Sequence, residues 1–143
     1  MDELDRKILD ILRRNSRTPF KEIAKQLNIT EGAVRYRVKT LMNRGIIRKF
    51  TIEIGAGGVS SFIFVKTNEK INLRSLCEEI LKLKDVEKVY EVTGEYDLVV
   101  LVRSYSTQEL NRVIDSIRAM EGVVTTLSIL ILQEYNGEDY ERG

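Results

Sequence analysis

The stretch that decides the N-terminal fold covers residues 18–45, TPFKEIAKQLNITEGAVRYRVKTLMNRG. Thr18-Pro19 reads as a helix N-cap followed by proline at the first helical position, where its missing N–H is harmless and its fixed φ suits the helix. Ile23, Ala24 and Leu27 then form the inner face of a short helix. Asn28-Ile29-Thr30 is a tight turn, and Thr30 is placed to cap a further helix whose inner stripe is Val34, Val38, Leu41 and Met42. Gly45 closes that helix as a left-handed C-terminal residue does. Upstream, Leu4, Ile8, Ile11 and Leu12 form one apolar stripe on a bracing helix, which Asn15-Ser16-Arg17 interrupts. Two helices joined by a short turn and braced by a third make the helix-turn-helix layout, with small Ala24 allowing a close crossing.

Charge supports a reading for that layout. Of the chain's 143 residues, the first 50 carry 13 Lys/Arg against 6 Asp/Glu, a net of +7, while the remaining 93 carry 10 against 16, a net of −6. One half therefore meets a polyanion and the other does not. Net charge alone does not separate nucleic acid from an anionic membrane surface or an acidic partner, but its arrangement does. The surface of the third helix reads Gly32, Ala33, Arg35, Tyr36, Arg37 and Lys39, with small residues at its N-terminal end for close approach to base edges and cations for phosphates. With Thr30 at the helix start and Arg48 and Lys49 just beyond its end, these are the expected contacts to double-stranded promoter DNA. The competing account is a solvated basic face on a three-helix bundle. The caps, the turn length, the small residues and the charge together favour DNA.

After Gly45, alternation of Phe50, Ile52 and Ile54 with Lys49, Thr51 and Glu53 predicts a half-buried strand within a linker over residues 48–58. A lone strand needs a partner. A second copy of the chain supplies one, and folding back onto the C-terminal half is the alternative. Residues 55–58, GAGG, are the hinge.

From residue 59 to 135 strands and helices alternate. Residues 62–65 read as a strand, and Asn72 caps a helix with Leu73, Leu76, Cys77, Ile80 and Leu81 inward. Residues 86–92 and 98–102 are two strands flanking the turn Thr93-Gly94-Glu95-Tyr96-Asp97. Ser106 and Glu109 make a capping box before a helix with Leu110, Val113, Ile114 and Ile117 inward, Gly122 closes it, and residues 123–133 form the last strand. This is βαββαβ, the ferredoxin-like arrangement, so the fold class is α+β. The third and fourth strands place apolar side chains on both faces, which predicts that another subunit covers the face without helices. Residues 136–143 are a polar, acidic tail.

Several chemistries drop out. Without histidine there is no imidazole base, triad or His-ligated metal, and the lone Cys77 reads as a packed apolar side chain. No GxxxxGK(S/T) loop appears, and the GAGG run precedes a strand rather than a helix. No apolar run is long enough for a membrane span, and the acidic start carries no secretory signal, which predicts a cytoplasmic protein. Residues 98–102 offer none of the strand aromatics of an RNA-binding module, this half is acidic, and it holds no acid/base or nucleophile constellation. No catalytic residue, metal or cofactor is expected. A regulatory or assembly domain survives, and with it two DNA-binding accounts: a sequence-specific regulator, or an architectural protein with little sequence preference.

At this point the residues resemble the Lrp/AsnC (leucine-responsive, or feast/famine) regulators of bacteria and archaea. The markers are Leu4-Asp5-Arg6-Lys7-Ile8-Leu9, Ile23-Ala24 with Leu27, Val34-Arg35-Tyr36-Arg37-Val38 with Leu41, Gly45-Ile46-Ile47, and above all Thr93-Gly94-Glu95-Tyr96-Asp97. The resemblance spans roughly residues 2–135. It implies homodimers that assemble further into octamers, pseudo-palindromic promoter sites, and an amino-acid effector bound between dimers. The implied effector residues are Gly94, Glu95, Tyr96 and Asp97, with Thr126 and Ser128 from the last strand of a neighbouring subunit. The short linker departs from many members. Within the family, Arg17-Thr18-Pro19-Phe20, residues 45–53 and that linker are most similar to archaeal regulators of lysine biosynthesis. Glu91, Glu95 and Asp97 bracket the turn with three carboxylates, which points to lysine first and arginine second; glutamine, or no effector, is the alternative.

Overall fold

The computed structural model describes residues 1–55 and 57–137, so Ala56 of the expected hinge and residues 138–143 of the expected tail lie outside the described residues. The chain divides into a unit over Met1–Ile54 and a unit over Gly55–Asn136.

The first unit is built from α1 (Glu3–Arg14), α2 (Phe20–Leu27) and α3 (Glu31–Asn43). A reciprocal cap starts α1: Asp5 N donates to Asp2 Oδ1 at 2.9 Å, and Asp2 N donates to Asp5 Oδ2 at 3.2 Å. Ile8, Leu12, Ile23, Ala24, Val34 and Val38 form the buried cluster, and Leu41 is buried as well. Each large aliphatic side chain taken out of water contributes about 1.5–3 kcal/mol, so the six besides Ala24 carry most of the unit's apolar burial. Three details differ from expectation. Pro19, not Thr18, is the N-cap of α2: its carbonyl accepts from Ile23 N, and Thr18 Oγ1 donates instead to Asn15 O at 2.7 Å, finishing the preceding turn. Met42 stands 44% exposed rather than inward. Residues 48–55 form no strand within the chain, and Phe50, Ile52 and Ile54 are all exposed. Backbone pairing stabilises a strand only where a ladder is available.

The second unit runs β1 (Val59–Thr67), α4 (Leu73–Leu81), β2 (Val86–Glu91), β3 (Leu98–Ser104), α5 (Thr107–Arg118) and β4 (Val123–Leu130). Its four-stranded sheet has the order β2-β3-β1-β4 with every neighbour antiparallel. Asn72 caps α4 by accepting from Ser75 N at 3.1 Å. Ser106 caps α5 by accepting from Glu109 N at 3.2 Å, while the Glu109 carboxylate reaches Tyr105 N, one residue short of a full capping box. Ile63, Val65, Leu98, Val100 and Val102 pack against Leu76, Ile80, Leu110, Val113 and Ile117 to form the core, with Cys77 packed at its edge. Ser61 is buried but satisfied, donating to Ile129 O at 2.6 Å. Phe62 and Phe64 lie opposite Leu101 and Val99 on one side and Ile129 and Leu127 on the other, on the sheet face away from the helices. β1 is longer than its apolar run because its ends are paired as well, Val59 and Ser60 with β3 and Lys66 and Thr67 with β4. β4 is shorter than expected: just beyond Leu130 a backbone bond runs from Ile131 N to Ser60 O, near the point where β1 itself begins.

Candidate nucleic-acid interface and effector turn

Thr30 Oγ1 accepts from Ala33 N at 3.0 Å, so the start of α3 is capped and its direction set by a side chain that is itself exposed. At the other end Ile46 N donates to Leu41 O at 2.9 Å and Gly45 N to Met42 O at 3.0 Å, with Gly45 at φ +73. Those two bonds are the Schellman closure, and they need the left-handed conformation that glycine adopts without strain.

At about 100° per residue, the buried stripe Val34, Val38 and Leu41 defines one side of α3, and Gly32, Arg35, Tyr36 and Lys39 fall on the other. All four are exposed, Tyr36 to 71%. Arg35 Nη2 pairs with Glu31 Oε1 at 2.9 Å, and its guanidinium carbon lies 6.0 Å from the centre of the Phe20 ring. The cation is therefore held between a carboxylate one turn away and the first residue of α2. Ala33 is half-buried beside this face; Arg48 and Lys49, past the helix end, are exposed.

Arg37 departs from the outward placement expected of it. Its Nη1 lies 2.8 and 2.7 Å from the two Asp2 carboxylate oxygens and 3.1 Å from Asp5 Oδ1, and its side chain is only 27% exposed. The two carboxylates raise the Arg37 pKa, and Arg37 in turn lowers that of Asp2. Simple helix arithmetic marks the difference: Arg35 and Arg37 stand about 200° apart, so one face cannot hold both. The acidic partners Asp2 and Asp5 went unrecognised because they lie 32 and more residues away in sequence.

In the second unit the turn between β2 and β3 is closed by Val92 N donating to Asp97 O at 3.0 Å, and Asp97 N donates across to Val65 O at 2.9 Å. Gly94 sits at φ +108 with open space where a Cβ would stand. Glu95 is exposed, and the Tyr96 ring lies 5.5 Å from that of Phe64, tilted by 56°. Asp97 Oδ2 accepts from Thr67 N at 2.8 Å and from Thr67 Oγ1 at 2.9 Å. Those Thr67 bonds hold the carboxyl below its ordinary range. Through Oδ2, then, Asp97 ties the turn to β1. Thr126 lies opposite Val65 and Ser128 opposite Ile63 on β4, and Thr126 Oγ1 accepts from Arg118 Nε at 2.9 Å. Val65 thus neighbours the turn on one side and Thr126 on the other, bringing the two sets to one end of the sheet with a single strand between them. Glu91 lies opposite Leu98, on the helix-covered side, and its charge adds to the effect of burial in raising the Cys77 pKa. Thr67 and Arg118 are the residues sequence reasoning missed; both act across strands or from a helix, where no local pattern announces them.

No described residues form a cluster of three or more metal-ligating side chains, and no described helix is long and apolar enough to cross a membrane.

A capped and exposed recognition helix in one unit, with a ligand-type turn on a ferredoxin-like sheet in the other, defines a DNA-binding transcription regulator with a separate effector domain. Residues 1–48 match the model of winged helix-turn-helix DNA-binding domains, and residues 60–139 match that of the Lrp/AsnC ligand binding domain. The chain belongs to the Lrp/AsnC family. It is 42% identical to the HTH-type transcriptional regulator LysM of Sulfurisphaera tokodaii, over 93% of this chain and 96% of the relative. The regulator of the same name from Saccharolobus solfataricus is also 42% identical, over 94% and 96%. Among solved structures, E. coli AsnC superposes with a TM-score of 0.80 at 28% identity, covering 94% of this chain and 93% of that one. The feast or famine regulatory protein of M. tuberculosis complexed with L-methionine gives 0.85 at 26% identity, covering 98% and 97%. Although the matching DNA-binding model is a winged one, the residues that follow α3 form no hairpin here.

Proposed function

We propose that this regulator is a cytoplasmic protein that reads promoter DNA in the major groove through Gly32, Ala33, Arg35, Tyr36 and Lys39 of α3. Thr30 sets the helix start, and Arg48 and Lys49 grip phosphates. The observation that carries the reading is the exposed face on which Gly32, Arg35, Tyr36 and Lys39 converge at the end of a capped helix. A glycine and a half-buried alanine leave room for base edges, while Arg35, on exchanging its exposed bond to Glu31 for the DNA, would approach guanine with its guanidinium. The protein acts as a homodimer, with the exposed Phe50, Ile52 and Ile54 pairing between copies and recognition helices about 34–36 Å apart, one DNA turn. Dimers assemble further into an octamer, as the resemblance implies.

The effector is a free amino acid at the Gly94–Asp97 turn, completed by Thr126 and Ser128 of a neighbouring subunit. L-methionine in the M. tuberculosis relative supports the class of ligand. Exposed Glu95 on the turn favours a cationic side chain, lysine before arginine, and backbone N–H groups around Gly94 suit the ligand carboxylate. Asp97 serves by holding the turn against Thr67. Selection of duplexes from a random pool, followed by titration with and without each of the twenty amino acids, tests both parts. A selected duplex bound no better than random DNA makes the protein architectural instead. Heat from neither lysine nor arginine in calorimetric titration removes the cationic effector, and glutamine is the first neutral candidate in the same panel.

A further inference from the structure

We infer that Arg37 is a positioning residue that locks the recognition helix to the start of α1, and that DNA selectivity depends on the lock rather than on a contact from Arg37 itself. The inference rests on the DNA-reading role proposed for α3. Three observations carry it. Arg37 lies on the flank of α3 next to the buried stripe, about 200° around the helix from Arg35. A single guanidinium nitrogen, Nη1, meets three carboxylate oxygens within 3.1 Å, and Asp5 is the more enclosed acid, with its side chain only 13% exposed. The same two acids are the reciprocal N-cap of α1, so Asp2 and Asp5 are already held by each other's backbone before Arg37 arrives.

The consequence is geometric. Hydrophobic contacts among Ile8, Val34 and Val38 bring α1 and α3 together, but aliphatic packing is non-directional and tolerates small rotations. A charge-assisted bond is short and directional. Joining one residue of α3 to the first turn of α1 fixes the rotation of α3 about its own axis. That rotation decides whether Arg35, Tyr36 and Lys39 point at base edges or at phosphates. Non-specific affinity, which depends on total charge, needs no such precision; selectivity does.

The test uses the full chain, a duplex enriched on the wild type by selection, and a random duplex of equal length, read by fluorescence anisotropy over a salt series. Arg37→Ala is expected to lower the ratio of selected to random affinity about fivefold or more, as coupled members of one network do. The slope of log affinity against log salt should stay unchanged. Asp2→Asn with Asp5→Asn is the second arm. Asparagine still caps the helix, so folding is preserved, Arg37 is released, and negative charge near the DNA is removed. The ratio should again fall although affinity for random DNA holds or rises, and adding Arg37→Ala to this pair should cost little more. A phosphate-contacting Arg37 gives the opposite pattern: the salt slope drops by about 0.9 in Arg37→Ala, and in the asparagine pair the released arginine strengthens binding to selected and random duplexes alike, leaving their ratio unchanged. Either of those results, or an unchanged ratio in both variants, overturns the inference. Wild-type protein without preference for the selected duplex would instead sink the DNA-reading role beneath it.

Discussion

Replacing Gly122 with alanine separates two costs that glycine substitutions usually mix, because Gly94 supplies a matched reference. Both residues sit at positive φ, +91 and +108, where an L side chain is strained by about 1–2 kcal/mol. At Gly94 nothing lies within 4 Å of the added Cβ. At Gly122 the Cβ would stand 2.5 Å from Ile71 Cδ1, 2.6 Å from Cγ1 and 2.8 Å from Cβ. Turning a terminal methyl cannot relieve that collision, since the Ile71 Cβ is itself among the three atoms and moves only with its backbone. Ile71 packs on the C-terminal core, and Gly122 O accepts from Asn68 N at 2.9 Å, so the loop that would have to shift is tied to the same glycine. Overpacking of this kind adds about 1–3 kcal/mol. Gly94→Ala should therefore destabilise the second unit by about 1–2 kcal/mol and Gly122→Ala by about 2–5 kcal/mol. For a unit of this size the gap corresponds to a melting difference of at least about 4 °C. Circular dichroism melts and urea titrations at equal protomer concentration measure it, the matching being needed because association raises apparent stability. In a double-mutant cycle, Ile71→Gly, which removes that Cβ as well, should bring the cost of Gly122→Ala back toward that of Gly94→Ala. Equal stability of Gly94→Ala and Gly122→Ala, or no recovery, refutes the steric argument.

Other expectations are shorter to state. Leu41→Ala, at a position 1% exposed, should cost about 2–5 kcal/mol. Met42→Ala, at 44% exposed, should cost within about 0.5 kcal/mol, and urea midpoints showing the reverse would mean that the register of α3 is wrong. Thr30→Ala should cost about 1 kcal/mol through loss of the cap, with Thr30→Asn restoring it; a neutral alanine variant argues against the bond to Ala33. Asp97 is depressed below its ordinary 3.8, so its contribution to stability is present above that value and drains away as pH falls through the folded-state value. Wild-type stability should consequently drop more steeply than that of Asp97→Asn as pH is taken down through and below 3.8, whereas parallel curves would mean that the Thr67 bonds bring no stability.

Local patterns announced most of the fold. Apolar spacing located α1 to α5, and capping chemistry at Thr30, Asn72 and Ser106 marked three starts to the residue. Strand ends were less legible, because the polar ends of β1 and the early end of β4 are set by which neighbour is available to pair. Pro19 illustrates the same limit at a helix end: the cap moved by one residue because Thr18 found a nearer carbonyl at Asn15. At the DNA face, Gly32, Arg35, Tyr36 and Lys39 could be placed by helix arithmetic alone. Arg37 could have been excluded from that face by the same arithmetic, although its partners could not have been named. At the turn, the glycine and the acids were visible in sequence. The bond from Thr67 to Asp97 was not, since 30 residues and a strand crossing separate them.

The reciprocal cap on α1 has a practical side. Asp2 stands one peptide bond from the Met1 amine, whose positive charge adds to the forces that keep the Asp2 carboxyl ionised. An affinity tag, fusion partner or acetyl group joined at Met1 would replace that charge with an amide right beside the carboxylate that clasps Arg37. Asp2, held first by its bonds to Arg37, stays ionised at neutral pH either way, so such an appendage would act on the clasp by its bulk rather than by its charge. Purification handles for this protein belong at the other end of the chain.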